Sequence, residues 1–207
     1  MNVTETDFKL IEYTIKSLLD SKIFKSKREE FNTCIDIFLN KDENFLYDMG
    51  ATKLVLINSQ LKEWVIKTPF KDVDTNYCKI EYENYLSAKE KGLEKYFAET
   101  IFLGYYDDVD FYLQRKASID EDCIDDAFYS YSANLLSKKY NSDDIYFEDK
   151  VVEFVENFTS RETVESLYGY NEELVSFLDT NFINDLHSRN FGRLDNGNLV
   201  MIDFSGI

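Results

Sequence analysis

The 207-residue sequence predicts an α+β fold, and three observations carry that reading. Short β-rich runs gather in the first 116 residues, amphipathic helical stripes occupy much of the rest, and a hairpin signal lies near the C-terminus. A hydrophobic fraction of 44% with 16% aromatic residues supports a folded chain. The length suffices for one substantial core or for two small lobes sharing a cleft.

The elements follow in order. Over residues 5–24, Phe8, Ile11, Ile15, Leu18, Leu19 and Ile23 form a helical stripe, with Thr4 or Thr6 as its N-cap. A second helix is expected over 27–39, with Phe31, Ile35 and Phe38 inward. Together they read as an extension packed on the lobe that follows, with a partner groove or self-association contact as the other use. Thr52–Ile57 and Trp64–Lys67 are strands joined by the polar turn Asn58-Ser59-Gln60. A helix over 76–91 places Ile80, Glu81, Tyr85, Ala88 and Leu93 toward one face. Ile101–Tyr106 and Phe111–Lys116 are two further strands around Asp107-Asp108. Helices are expected over 120–140, 143–157 and 161–182, the last presenting Leu174, Phe177, Leu178 and Phe182 as an apolar face.

The chemistry concentrates beyond that helix, in Asp185-Leu-His-Ser-Arg-Asn190, then 191–202, then Asp203-Phe-Ser-Gly206. Residues 191–194 and 199–202 flank Asn196-Gly197, a two-residue hairpin signal. Such a hairpin sets Asn190 and Asp203 side by side at its open end, with Asp185 overlooking both. Two oxygen donors at one spot suit Mg²⁺, which takes few protein ligands and completes its octahedron with phosphate and water. A third carboxylate can orient or deprotonate a hydroxyl.

This arrangement resembles the catalytic loop and Asp-Phe-Gly motif of protein-kinase-like phosphotransferases. The wording Asp-Leu-His-x-x-Asn is closer to aminoglycoside- and choline-kinase-type enzymes than to eukaryotic protein kinases, since Ile183-Asn184 stands where those carry His-Arg. It is also similar to small bacterial and phage kinase-like proteins that stop soon after this motif. The resemblance implies Asp185 as base, with Asn190 and Asp203 holding Mg²⁺ against the phosphates of ATP. It implies that Lys67, closing Val-Ile-Lys, grips the α- and β-phosphates and that Glu81, preferred over Glu83, orients it. Gly50 and Thr52, in Asp48-Met-Gly-Ala-Thr52, stand where the family has its glycine-rich phosphate loop, here with one glycine. Gln114 to Lys116 stand at the hinge whose backbone pairs with adenine.

The implied architecture is a two-lobed kinase-like fold: an N-terminal helical extension (1–43), an N-lobe (44–116) and a helical C-lobe (117–207). The C-lobe is expected to be minimal, because Ile207 follows the Asp-Phe-Ser-Gly motif directly. The expected reaction is γ-phosphoryl transfer to the hydroxyl of a small-molecule or protein acceptor, with adenylyl transfer a further outcome of the same residues. The competing reading is a catalytically weak or inactive kinase-fold binding or regulatory module that acts on a protein partner.

The net charge of −17 argues against nucleic acid and anionic membranes as partners. It suits a cationic acceptor, or an acidic surface that imitates DNA before a basic protein, although acidic runs such as 107–110, 120–126 and 143–149 are ordinarily solvated faces. No long apolar run, signal-peptide pattern or lipidation motif is present, so a soluble cytoplasmic protein is expected. Cys34, Cys78 and Cys123 lack metal-site spacing and read as inert thiols of a reducing compartment. The single histidine, His187, excludes a multi-histidine metal site within this chain.

Overall fold

The computed structural model describes residues 3–20, 44–49, 52–70, 73–143 and 145–206. The helix expected over 27–39, together with Ile23, Cys34 and Gly50, lies outside them. Contacts divide the chain into two compact units, Met1–Ser87 with Ala98–Lys116, and Ala88–Phe97 with Ala117–Ile207.

Unit 1 is built on a five-stranded antiparallel sheet: β1 (Phe45–Met49), β2 (Lys53–Asn58), β3 (Trp64–Pro69), β4 (Thr100–Tyr106) and β5 (Val109–Arg115), in the order β1-β2-β3-β5-β4. The turn between β4 and β5 places Asp107 and Asp108 at φ +48° and +63°, the doubly left-handed geometry of a two-residue type I′ hairpin. Residues opposite one another on neighbouring strands share a face of the sheet. Leu54, Leu56, Trp64, Ile66, Phe111 and Leu113 therefore share one face, and all six are buried in a single apolar core.

That core is completed by α1 (Glu5–Asp20), whose Ile11, Ile15 and Leu18 pack into it. Thr4 caps this helix reciprocally with Asp7. The Asp7 N–H donates to Thr4 Oγ1 (3.2 Å), and the Thr4 N–H donates to the Asp7 carboxylate (3.0 Å). Phe8, expected inward, is 50% exposed, because the buried stripe begins one turn later at Ile11. The opposite face of the sheet carries polar side chains and receives α2 (Tyr77–Glu90). Tyr82 of α2 lies 6.2 Å and 6.1 Å, ring to ring, from Phe102 and Tyr112, and Asn76 donates to Asp110 at 2.6 Å.

Unit 2 contains α3 (Glu121–Ser137), α4 (Phe147–Glu156), α5 (Ser160–Tyr168), α6 (Glu172–Thr180) and a hairpin of β6 (Phe191–Arg193) with β7 (Leu199–Met201). The helix expected over 161–182 is two helices. Gly169, at φ +76°, ends α5, and Asn171 starts α6 by accepting from the Leu174 N–H at 3.0 Å. Thr159 and Glu162 form a capping box at the head of α5. No helix among the described residues is long and apolar enough to cross a membrane.

The apolar face of α6 is Leu174, Val175, Phe177 and Leu178, without Phe182. Phe182 is 76% exposed because the helix ends in a Schellman turn just before it. The Ile183 N–H donates to the Leu178 carbonyl (2.9 Å), the Phe182 N–H donates to that of Asp179 (3.3 Å), and Phe182 takes φ +56°. Ile183 goes inward in its place.

The C-terminal hairpin is also closed differently from its Asn-Gly signal. The Gly197 N–H donates to the Leu194 carbonyl (2.8 Å), and the Leu194 N–H donates to that of Asn198 (2.9 Å). Of the loop residues only Gly197 has positive φ, at +83°. The connection is a three-residue loop with a left-handed glycine, since a type I′ turn requires both central residues to be left-handed.

Candidate functional site

Unit 1 brings three charged side chains together on the polar face of its sheet. Strand alternation places Lys53 of β2 and Lys67 of β3 on the same side, with Lys53 opposite Pro69 and Lys67 opposite Val55 and Tyr112. The two lysines are thus diagonal neighbours, an offset of about 7–8 Å between strand positions. Glu81 rises from α2 to meet both. Lys67 Nζ lies 2.9 Å from Glu81 Oε2, and Lys53 Nζ donates to Glu81 Oε1.

The Glu81 side chain is 0% exposed and each lysine side chain 5%. Charges this deep are tolerated only when paired. Glu83 is on another surface, 59% exposed and 3.7 Å from Lys79. Lys53 was not singled out by the sequence, because a lysine at the start of a strand ordinarily reads as solvated. Its signal, a lysine two places from the residue paired with Lys67, exists only once the β2–β3 register is known.

The surrounding polar face is also buried. Gln114 donates to Thr100 Oγ1 at 3.2 Å, and burial together with Asp110 holds the Tyr112 hydroxyl well above the ordinary tyrosine range. Gln114 pairs with Val65 on one side and Thr100 on the other, so it sits within the sheet. The strand ends at Arg115, whose N–H donates to the Glu99 carbonyl (2.9 Å), while the Lys116 N–H donates to that of Glu63 (2.9 Å). Thr52 is half-buried, and its carbonyl accepts from the Phe70 N–H at 3.2 Å.

Unit 2 holds the other chemistry-bearing residues. Residues 184–187 form a loop that ends in a single 3-10 turn, Ser188–Asn190. Asn190 is buried and donates from Nδ2 to the Asp185 carbonyl at 2.6 Å, which fixes the loop and assigns Oδ1 as the acceptor end of the amide. Its own carbonyl accepts from the Ile202 N–H at 2.8 Å. The β6–β7 ladder, in which Phe191 pairs with Met201, therefore extends one step further, and Asp203 follows at its open end. Ser205 Oγ donates to Asp203 Oδ1 at 3.1 Å. The Asp185 carboxylate is half-exposed, 3.7 Å from His187 Nε2. Arg189 pairs with Glu121 of α3 at 3.2 Å.

Two features position this loop pair. Phe204 is buried, with its ring 5.1 Å from Phe97, which in turn lies 5.4 Å from Phe177 of α6. Gly206 has φ +69°, and a Cβ there would fall 2.1 Å from the Phe182 carbonyl oxygen. Only glycine allows that approach.

Among the described residues, no group of three or more His, Cys, Asp or Glu is arranged to hold a metal ion. Asn190 and Asp203 offer one amide oxygen and one carboxylate, hard donors of the kind Mg²⁺ takes in small number. Cys78 is buried and Cys123 exposed, and neither is in a disulfide.

No protein-family model matches the chain, and no curated protein matches it in sequence. A solved structure, the GDP and kanamycin complex of APH(2")-IIIa, an aminoglycoside phosphotransferase of protein-kinase-like fold, is similar to it. The identity is 14% over 83% of this chain and 71% of that chain, with a TM-score of 0.33.

Proposed function

We propose that the chain is an ATP- and Mg²⁺-dependent phosphotransferase of protein-kinase-like architecture, acting on a hydroxyl. The observation that carries this reading is the buried ion pair between the strand lysine Lys67 and the helix glutamate Glu81. An ammonium held rigid at the end of such a pair is a phosphate grip, and a buried charge is costly to keep where packing alone would serve.

In unit 1, Lys67 would bind the α- and β-phosphates, Glu81 would fix its position, and backbone near Thr52 and Lys116 would meet the remainder of the nucleotide. Thr52 would add its hydroxyl, and Gln114 would support the strand end from within the sheet. In unit 2, Asn190 Oδ1 and the Asp203 carboxylate would hold Mg²⁺, which when bound neutralises phosphate charge. Asp185 would accept the proton of the acceptor hydroxyl. The acceptor oxygen then bonds to the γ-phosphorus, the bond to the β-bridging oxygen breaks, and ADP leaves with that electron pair.

The second reading, a binding module on the same scaffold, is favoured by the single glycine of the Asp48–Thr52 segment. It predicts nucleotide binding without turnover. Calorimetric titration of ATP, with and without Mg²⁺ and with Asp203→Ala as control, tests the proposal. Metal-dependent binding abolished by Asp203→Ala is the expected result. Absence of binding at millimolar ATP would overturn it.

A further inference from the structure

The proposed phosphotransferase reading assigns a role to one strand lysine, yet the sheet delivers two to the same carboxylate. Glu81 carries one negative charge and receives one ammonium on each oxygen, Lys67 on Oε2 and Lys53 on Oε1. A second ammonium at 5% side-chain exposure adds a desolvation cost that an apolar side chain of the same length would avoid. The chain nevertheless places it there from a separate strand, in the register that sets the two lysines diagonally on one face.

We propose that Lys53 is a second phosphate-contacting residue, acting beside Lys67 on the phosphates of a nucleoside di- or triphosphate. The assignment rests on the nucleotide-binding reading above. Its chemistry follows from convergence. Two ammonium groups fixed on opposite oxygens of one carboxylate present a two-point cation to a polyanion, with Glu81 as the shared brace.

It also answers a feature of the sequence. Phosphate turns ordinarily use several glycines to bring backbone N–H groups against the ligand, whereas Asp48–Thr52 has only Gly50. Lys53 follows that segment directly in the sequence, so a side-chain charge stands next to a stretch with a single glycine. Lys53 acts through contact with the ligand phosphates, and its effect must therefore scale with the phosphates the ligand carries.

The test compares adenosine, ADP and ATP binding to the full chain by calorimetry, with Mg²⁺ present. Lys53→Met is expected to weaken ADP and ATP at least tenfold while leaving adenosine unchanged, and Lys53→Arg to retain most of the affinity. Wild-type affinity for ATP in Lys53→Met, with binding lost in Lys67→Met, would overturn the proposal and leave the nucleotide reading standing. A parallel loss of adenosine affinity would reduce Lys53 to a structural brace. If the wild-type chain binds no nucleotide, the underlying reading fails and this assignment with it.

Should Lys53→Met fail to fold, the wild-type protein is treated with an adenosine polyphosphate bearing a pyridoxal aldehyde. The imine is reduced with borohydride and the modified lysines are mapped. Labelling of both Lys53 and Lys67, suppressed by excess ATP, is expected. Labelling of Lys67 alone would overturn the assignment.

Discussion

Replacing Glu81 by alanine removes the carboxylate that receives both Lys53 and Lys67 while leaving two lysine side chains 5% exposed. Removing one partner of a buried ion pair typically costs about 3–5 kcal/mol, because the remaining charge stays desolvated. Here two charges lose the same partner, so the upper part of that range applies, against a total stability of about 5–15 kcal/mol for a domain. Lys67→Met is a different perturbation, since Glu81 keeps Lys53. The charge-assisted hydrogen bond it loses to Glu81 is worth about 1.5–3 kcal/mol. Urea unfolding followed by the fluorescence of Trp64, the only tryptophan and a buried residue of β3, reads unit 1 directly. With a slope of ~2 kcal/mol/M, Glu81→Ala should lower the midpoint by ~2 M and Lys67→Met by ~1 M. The triple variant Glu81→Leu, Lys53→Met, Lys67→Met should recover most of the loss, as buried ion pairs replaced together by apolar groups commonly do. A midpoint for Glu81→Ala no lower than that for Lys67→Met would refute the shared-carboxylate reasoning.

Asp203→Ala should abolish Mg²⁺-dependent nucleotide binding while the thermal midpoint of the protein shifts little, as read by calorimetry and circular dichroism. Gly206→Ala should destabilise unit 2 by more than the ~1–3 kcal/mol of a left-handed non-glycine residue, because the Phe182 carbonyl must also move; denaturation followed by tyrosine fluorescence or hydrogen exchange reads this. Burial, then the hydrogen bond to Glu165 (2.7 Å), pushes the Tyr131 hydroxyl up to about 12. Since the folded value exceeds the unfolded one of ~10, this stabilisation is complete below pH ~10 and fades as pH rises toward 12. Tyr131→Phe should remove that portion of the alkaline loss of stability, and ultraviolet titration of tyrosinate should show one late-titrating group fewer.

The elements that stand out in the sequence are those whose periodicity belongs to one short segment. The strand runs at 52–57 and 64–67 and the helix over 76–91 differ from the structure by one to two residues at their ends, because alternation and the 3.6-residue repeat are local properties. The same local reading put Glu81 on an inward face. Lys53 escaped it because its place depends on strand pairing, a non-local fact. Apolar spacing continues beyond Gly169 and so predicts one helix over 161–182; the left-handed glycine and the Asn171 cap outweigh that pattern. Asn196-Gly197 marked the hairpin but not its closure, as Asp195-Asn196 form the turn and Gly197 takes the single left-handed position. Phe182 misled because the apolar spacing of the helix runs on to it, while the Schellman turn over 178–183 gives it a left-handed backbone that is rare for phenylalanine. The Phe182 carbonyl then packs closely against Gly206.

That packing makes the segment beginning at Ile183 and the segment ending at Gly206 behave as one latch. The Schellman turn holds Phe182 left-handed, and its carbonyl then lies against the turn after Asp203 with no room for a Cβ between them. The two segments are therefore expected to open together, in a single local transition that includes Asp185 and Asp203. Amide exchange should accordingly report one shared opening energy for residues 183–185 and 203–206. Any event that pries Phe204 from Phe97 should loosen Asp185 and Asp203 together, making the latch an all-or-none element within unit 2.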